Sequence, residues 1–177
     1  MKISRTDRWI LSNQLKILSI LDSDDREYYE KCQKIIENGY EYLYSGCIQF
    51  IIPDDQTITE EESKLAINIL DMFSAITFSL EKIGDKTGIN LDQLKFDGFD
   101  GNNEGKFYDF VQYFCTEFDG QRFPEIGKGI DNFNSHCPIL DTYIRMLEVW
   151  KSCKDRNKLT KEELISIGNA SIYPDNR

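Results

Sequence analysis

Residues 59–84 read TEEESKLAINILDMFSAITFSLEKIG, and this stretch decides the fold class. Its first four residues form a capping box, in which the Thr59 hydroxyl accepts from a first-turn N–H while the Glu62 side chain reaches back. Apolar residues then recur every three or four positions, as on the buried face of a helix: Leu65, Ile69, Leu70, Phe73, Ile76 and Leu80. The pattern predicts one long helix that ends near Gly84.

The same helical period occurs before this stretch. Ser4 can cap a first helix, and its predicted apolar stripe is Ile10, Leu11, Leu15, Leu18 and Leu21. A second helix begins near Asp24 and ends at Gly39, since glycine takes the left-handed conformation that closes helices. Residues 40–52 are rich in tyrosine and isoleucine, and their pattern fits a short helix or an extended segment.

Further helices follow the long one. Residues 84–99 predict a loop with a short turn near 91–94, and Asn102 or Asn103 can cap a helix with an aromatic core stripe: Phe107, Phe110, Phe114 and Phe118. Residues 119–135, with Gly120, Gly127 and Gly129, predict a long loop. Pro138 suits the first turn of the next helix, and Thr160 opens a last one with a second capping box. We therefore predict an all-α helical bundle of about six helices, forming one domain over residues 1–177.

The charge composition argues against one class of function, general nucleic-acid binding. The chain has 177 residues, with 31 acidic and 21 basic side chains, for a formal net charge of −10. A general nucleic-acid binder shows a basic face, because phosphate contacts supply most of its affinity. Residues 1–21 carry a positive sum, from Lys2, Arg5, Arg8 and Lys16 against Asp7. We expect a solvated helix face there and no nucleic-acid partner.

The cysteines and the N-terminal sequence favour a cytoplasmic protein. Five cysteines form no CxxC pair, so free thiols in a reducing compartment fit better than a disulfide framework. The first residues, MKISRTDRWILSNQ, lack the pattern of a signal peptide. No uninterrupted apolar run approaches the length of a membrane span, so we expect no membrane association.

Four sequence blocks resemble those of the bacterial YfbU family. They are Arg8-Trp-Ile-Leu-Ser-Asn-Gln14, Ile35-Ile-Glu-Asn-Gly-Tyr40, Phe96-Asp-Gly-Phe-Asp-Gly-Asn-Asn-Glu104 and Asn134-Ser-His-Cys-Pro138, the last followed by Tyr143, Arg145 and Trp150. Their order and spacing cover residues 6–167. The resemblance implies a small, cytoplasmic, helical protein. It supplies no catalytic residues, because the family has no assigned biochemical activity.

An acidic loop is the first candidate site. Asp97, Asp100, Asn102 and Glu104 place oxygen ligands close together, as hard cations such as Mg²⁺ require. Their spacing misses the EF-hand pattern, however, and a glycine-rich turn whose side chains bond local backbone explains the same residues. We predict no metal and no cofactor, and we keep Asp97, Asp100, Asn102 and the downstream Asn134 as candidate binding residues.

His136 and Arg145 are the other candidates. His136 is the only histidine and thus the only side chain with an unperturbed pKa near neutrality, but it also fits a structural place before a helix. Arg145 is positioned to bond an aspartate of the 97–104 loop and so to latch two segments together. A metal-assisted hydrolase would instead combine His136, Arg145 and Glu104 of the acidic loop at a phosphate ester or nucleic acid.

The absence of a recognisable catalytic pattern leads to our functional hypothesis. We expect a non-enzymatic helical protein that acts through self-association or a protein partner, and whether it is an enzyme stays open. Interface contacts favour aromatic side chains, and the candidates here are Tyr40, Tyr42, Tyr44 and Phe50. The metal-assisted hydrolase is the alternative.

Overall fold

The computed structural model describes residues 2–118, 122–126 and 133–173. The chain divides into two compact units, residues 1–55 and residues 56–177. Every regular element in the described ranges is helical, and no strand occurs in them. The predicted all-α class is therefore confirmed, with seven α-helices described where about six were expected. The single domain stays a prediction, and each unit is described by itself.

Unit 1 is a helical hairpin with a short helical extension. Helix α1 spans Arg5–Leu21 and α2 spans Arg26–Asn38. A 3₁₀ turn at Glu41–Leu43 leads into the one-turn helix α3, Tyr44–Cys47. The undecided segment 40–52 thus begins as helical turns.

The ends of the unit 1 helices follow the sequence signals. The Ser4 hydroxyl accepts from the Asp7 backbone N–H at 3.1 Å, as an N-cap should. Gly39 ends α2 with φ of 70°, in the left-handed region. A Cβ at Gly39 would lie 2.8 Å from the Arg8 guanidinium, a mobile side-chain end that can shift, so the backbone conformation is what disfavours a side chain there.

The predicted apolar stripe of α1 is only partly buried, since Leu11 and Leu15 are half-buried and Ile10 is exposed. The α1 residues that are buried are Ser12 and Ser19, whereas Leu18 and Leu21 of the stripe are exposed. The other buried residues of unit 1 are Cys32, Ile36 and Tyr44. Helix α1 therefore turns small polar residues inward and large apolar ones outward.

Unit 2 is built around the long helix α4, Glu60–Lys82. Helix α5, Gly105–Tyr113, continues as a π-helical turn, Phe114–Phe118. Helices α6, Leu140–Ser152, and α7, Lys161–Ser171, form a hairpin, and α4 packs against both α5 and α6. A 3₁₀ turn at Asp92–Leu94 interrupts the predicted loop where a short turn was expected.

Helix α4 supplies the centre of the unit 2 core. Ile69, Leu70, Met72 and Ile76 are among its fully buried residues. The segment Asp54–Lys82 is long and apolar enough to cross a membrane by length and composition, but a buried core helix passes the same test. The burial of α4 accounts for its apolar sequence.

Both predicted capping boxes are present. The Thr59 hydroxyl accepts from the Glu62 N–H at 3.2 Å, and the Glu62 carboxylate accepts from the Thr59 N–H at 2.7 Å. The Thr160 box has the same geometry with Glu163. The cap predicted at Asn102 or Asn103 is wrong, because α5 begins after Glu104.

Two further predictions concern the helix expected to start at Pro138 and the loop expected before it. Helix α6 begins at Leu140, two residues after Pro138. Most of the predicted 119–135 loop, including Gly120, Gly127 and Gly129, lies outside the described residues.

A cluster of aromatic rings with centroids 5.0–5.8 Å apart fills the core beside α4: Phe73, Phe96, Phe99, Phe107 and Tyr143. Phe118, predicted to be core, is 69% exposed.

Candidate interaction surface

The 97–104 loop of unit 2 is joined to the segment before α6. The Phe99 N–H donates to the Phe133 carbonyl at 2.9 Å, and the Ser135 N–H donates to the Phe99 carbonyl at 3.1 Å. This single parallel bridge requires Gly98, whose φ is 90°. A Cβ at Gly98 would lie 2.0 Å from the Phe133 carbonyl oxygen. The loop is thus fixed by backbone contacts before any side chain is considered.

Asp100, Asn102 and Asn134 are used within this junction. The buried Asp100 carboxylate accepts from the Asn102 N–H at 3.0 Å and from the Asn103 side-chain amide. The Asn134 side-chain oxygen accepts from the N–H groups of Gly101 at 3.4 Å and His136 at 2.9 Å. The hydrogen bonds from Asn103 and Asn102 hold the pKa of Asp100 below its ordinary value.

Glu104 connects the loop to α6. Its Oε1 accepts from the N–H groups of Ile139 at 2.8 Å and Leu140 at 2.7 Å, at the start of the helix. Its Oε2 accepts from the Asp100 N–H at 3.0 Å. A carboxylate at a helix N-terminus is stabilised by the free N–H groups and the helix dipole. Glu104 is therefore a structural cap, and it latches the loop to α6.

Arg145 does not reach the loop, and the predicted pairing with an aspartate there is wrong. Its guanidinium donates to the backbone carbonyls of Ala170 at 3.2 Å and Ser171 at 3.1 Å, at the end of α7. It also donates within α6, to the Asp141 carbonyl and the Thr142 hydroxyl. Arg145 thus joins the C-terminal end of α7 to α6.

The remaining candidates do not complete a catalytic arrangement. His136 is exposed, adopts the left-handed φ of 56°, and lies near enough to Asp100 for its charge to help lower the pKa of that carboxyl. Asp97 is held by its N–H to the Tyr143 hydroxyl at 2.9 Å, and its carboxylate is 3.7 Å from the Lys95 ammonium. The structure brings Asp100, Asn102, Glu104, Asn134 and His136 together and leaves Arg145 elsewhere.

This geometry gives the hydrolase alternative no support. Asp100 and Glu104, the carboxylates at the junction, are engaged by amide donors, and Arg145 is engaged at α7. In the described ranges no group of three or more His, Cys, Asp or Glu side chains is placed to hold a metal ion. The acidic loop therefore serves the fold of unit 2.

Unit 2 also has a cleft of about 530 Å³, and several of the side chains on its wall are engaged in contacts within the unit. Asp71 on its wall is paired with Arg122 at 3.2 Å, and the Ser74 hydroxyl donates to Glu125 at 2.5 Å. The Arg156 guanidinium lies over the Trp150 ring, 5.7 Å from its centroid. These contacts explain the polar side chains without a ligand.

Unit 1 presents a different kind of surface. The outer face of α1 is formed by Ile10, Gln14, Ile17, Leu18, Ile20 and Leu21. At 3.6 residues per turn these positions fall within an arc of roughly 160°, opposite the buried Ser12 and Ser19. The five apolar members are between 41% and 77% exposed. The exposed Asn13 also falls within this arc, so the face is uncharged and mainly apolar, with Asn13 and Gln14 as its polar members. Such a face is typical of a helix that packs against another element.

The outer face adjoins an apolar groove of about 320 Å³ within unit 1. Leu11, Leu15 and Leu18 of α1 line one side, and Tyr44 and Cys47 of α3 lie among the residues of the other. Burial is the main cause that raises the pKa of Cys47 to about 12, so the thiol stays protonated at neutral pH. The groove thus adds apolar surface beside the outer face, with the charged Lys2 and Asp7 also on its wall.

The sequence carries a signal for this surface that the helical stripe alone does not reveal. From Trp9 to Leu21 the only charged residue is Lys16. Uncharged residues therefore cover most of the circumference of α1, which is more than a single buried apolar stripe would occupy. Of the candidate contact aromatics, Tyr40, Tyr42 and Phe50 are exposed. Tyr44 is 1% exposed and packs inside unit 1, so it is excluded as a contact.

Comparison with known proteins gives the family. The model of the YfbU domain matches residues 1–170. UPF0304 protein MJECS11 of Methanocaldococcus jannaschii is 34% identical over 174 residues, which cover 95% of this chain and 99% of that protein. This relative is archaeal, although the sequence resemblance implied a bacterial protein. The match extends across α1, α4 and α6 alike, and the chain belongs to the YfbU family.

Proposed function

We propose that this protein works by assembling with itself, as a homodimer that pairs the outer face of α1 with the same face of a second copy. The observation that carries the proposal is the inverted packing of α1, which buries Ser12 and Ser19 and exposes Ile10, Ile17 and Leu21. Helices with this pattern are stable when a partner covers the apolar side.

The chemistry of the face favours a second copy as the partner. The six outer-face residues carry no charge, so two identical faces meet without repulsion. Ile10, Gln14, Ile17 and Leu21 alternate at spacings of four and three, which is the spacing of a helix–helix seam. A single polar residue such as Gln14 in an apolar seam can fix the register of the pair.

The exposed apolar side chains supply part of the area that a dimer interface needs. A stable interface buries about 800 Å² on each partner. The five aliphatic side chains of the outer face, each 41–77% exposed, contribute to this area. The adjoining groove, with Leu11 and Leu15 on its wall, provides further apolar surface. A cytoplasmic location is part of this proposal and is supported by the five cysteines, among which no disulfide pair is described.

The test is the mass in solution of paired variants. The Ile17→Glu substitution places two carboxylates in the interface, one from each chain of the dimer. We expect the association to be at least a hundredfold weaker, because burying an unpaired charge costs several kcal/mol. Size-exclusion chromatography with light scattering measures the mass. The matched control is Leu91→Glu, which changes a residue that is 51% exposed in unit 2 and should leave the dimer intact.

Three results would count against the proposal. They are a wild-type protein that stays monomeric at high concentration, equal dissociation of both variants, and a dimer that survives Ile17→Glu with α1 still folded by circular dichroism. If the protein is a monomer that binds a different protein through the same face, that protein is the partner and the proposed homodimer is wrong.

A further inference from the structure

A pair of cysteines connects two elements of unit 1. Cys32 lies on α2 and is buried, and Cys47 lies at the end of α3 and is half-buried. Their side chains are in contact, because the raised pKa of Cys47 is caused first by burial and next by a hydrogen bond with Cys32. The two residues are far apart in the chain, so the packing of α3 on α2 brings the thiols together.

Tyr28 fixes the elements that carry the two thiols. It precedes Cys32 by one helical turn, so both side chains lie on the same face of α2. Its hydroxyl is hydrogen-bonded with the Cys32 thiol. The same hydroxyl donates to the carbonyls of Gly46 at 3.3 Å and Cys47 at 3.2 Å. These bonds hold the end of α3 against the turn of α2 that carries Cys32.

The two thiols differ in their access to solvent. Cys32 is 2% exposed, whereas Cys47 is on the wall of the apolar groove of about 320 Å³. A small molecule that enters the groove therefore meets Cys47 first and has Cys32 behind it. An accessible cysteine in contact with a second, enclosed one is the arrangement of an attacking and a resolving cysteine.

We propose that Cys32 and Cys47 are a redox modification site, which forms a reversible disulfide by exchange with a low-molecular-weight disulfide. Cys47 loses its proton to water, and its sulfur attacks one sulfur of the small disulfide, whose S–S bond breaks and releases a thiolate. Cys32 then loses its proton and attacks the Cys47 sulfur of the mixed disulfide, which releases the second thiolate. Both released thiolates take up protons, so the protein thiols are oxidised and the small disulfide is reduced to two thiols.

The environment of Cys47 sets the speed of this exchange. Only a thiolate attacks a disulfide, and burial keeps the Cys47 thiol protonated at neutral pH, so the reaction is slow. The site therefore responds to a sustained excess of disulfide over thiol and not to a brief pulse of oxidant. The reduced pair is its resting state in a reducing compartment, and all five cysteines are reduced in this structure.

The test is equilibration of the full chain with oxidised glutathione, followed by alkylation of the remaining thiols in denaturant and peptide mapping by mass spectrometry. We expect one pair of peptides joined through Cys32 and Cys47 and separated again by dithiothreitol. In urea unfolding, the linked protein should show an equilibrium constant for unfolding of unit 1 that is about a hundredfold smaller, because a disulfide that closes a loop of roughly 15 residues restricts the unfolded chain.

Single substitutions separate the two steps. Cys32→Ser removes the resolving thiol, so the reaction should stop at a mixed disulfide between glutathione and Cys47. Cys47→Ser should abolish the link and leave the buried Cys32 unmodified. The matched control is Cys153→Ser, because Cys153 of unit 2 is also half-buried and burial also raises its pKa. This variant should form the link between Cys32 and Cys47 to the same extent as the wild type.

Three results would overturn the proposal. They are unmodified thiols at both positions after equilibration, a mixed disulfide at Cys47 of the wild type that never resolves, and an equal yield of the link in the urea-unfolded chain. The link lies within one chain, so its mapping does not depend on whether the protein dimerises. Ile17→Glu, which disrupts the proposed dimer beside the groove, should form the link at least as fast as the wild type.

Discussion

Glu104 shows how one side chain can hold two segments of unit 2. Its two oxygens accept from three backbone N–H groups, two at the start of α6 and one in the 97–104 loop. The two donors at the start of α6 gain no helical partner if the carboxylate is removed, since the first N–H groups of a helix have none. The role of Glu104, a candidate metal ligand and hydrolase residue in the sequence analysis, is thus explained by the amides whose hydrogen bonds it accepts.

Replacing Glu104 tests this role directly. We expect Glu104→Ala to lower the free energy of unfolding by about 3 kcal/mol, because three amide donors lose their acceptor. Urea unfolding, monitored by the fluorescence of the buried Trp150 in the same unit, measures the loss. Glu148→Ala is the control, since Glu148 is an exposed carboxylate of α6 and should change stability by less than about 0.5 kcal/mol. Equal effects of both variants would contradict the latch.

Gly98 gives a second test of the same junction. Gly98→Ala places a Cβ 2.0 Å from the Phe133 carbonyl oxygen at a φ of 90°. We expect a loss of about 3 kcal/mol or more in the free energy of unfolding, since both the backbone conformation and the space exclude a side chain. Gly84→Ala is the control, because nothing lies within 4 Å of its Cβ position. A Gly98→Ala protein as stable as the control would show that the loop does not need this conformation.

The lowered pKa of Asp100 predicts how the stability of the junction changes with pH. Hydrogen bonds from Asn103 and Asn102 lower the pKa of Asp100 from its ordinary value of 3.8. The stabilisation they provide is therefore complete above that value and is lost as the pH falls through the lowered pKa. Between about pH 5 and 2, the free energy of unfolding of Asp100→Asn should fall less steeply than that of the wild type. Asp109→Asn, at an exposed position of α5, should keep the wild-type slope.

At the scale of the element, the helix boundaries were the most predictable part of the structure. Ser4, Gly39, Thr59 and Thr160 fix helix ends by local bonds, so the sequence around each is sufficient to locate it. The burial of a helix face is not local. The face of α1 predicted to be buried is partly exposed, because spacing shows that Leu18 and Leu21 share a side but not which element covers it.

The candidate site was less predictable for the same reason. The order of residues places Asp100, Glu104 and His136 in loops, but their roles depend on which backbone amides come within reach. Glu104 bonds residues 35 and 36 positions away in the chain. Arg145 of α6 was expected to bond the loop and instead bonds carbonyls at the end of α7, 25 and 26 positions later in the chain. Such long-range partners are set by packing.

The end of α7 depends on Arg145 in a way that can be measured. Its guanidinium bonds the Ala170 and Ser171 carbonyls and lies over the Tyr173 ring, 5.2 Å from the centroid. We expect Arg145→Ala to lower the free energy of unfolding by about 2 kcal/mol and to speed amide exchange in the last turn of α7. Lys151→Ala, at another basic residue of α6, should do neither. Exchange that is unchanged in Arg145→Ala would show that α7 ends independently.

At the scale of the whole molecule, apolar exposure is concentrated in one unit. Thirteen of the eighteen large apolar side chains exposed in the described ranges belong to unit 1, although it holds 55 of the 177 residues. Unit 2 keeps a closed core around α4. Because soluble monomers rarely expose large apolar patches, this asymmetry places the contact with a partner on unit 1 in our proposal.

The proposed dimer makes stability depend on protein concentration. A partner that binds only the folded chain stabilises it by mass action, so a hundredfold rise in concentration should raise the midpoint of thermal unfolding by roughly 3–5 °C. Differential scanning calorimetry over that concentration range measures the shift. Ile17→Glu should abolish the shift and Leu91→Glu should retain it, because only the first residue lies on the outer face. Since unfolding within one chain is independent of concentration, a midpoint that stays constant in the wild type would place the folded state in the monomer and remove the basis for self-association.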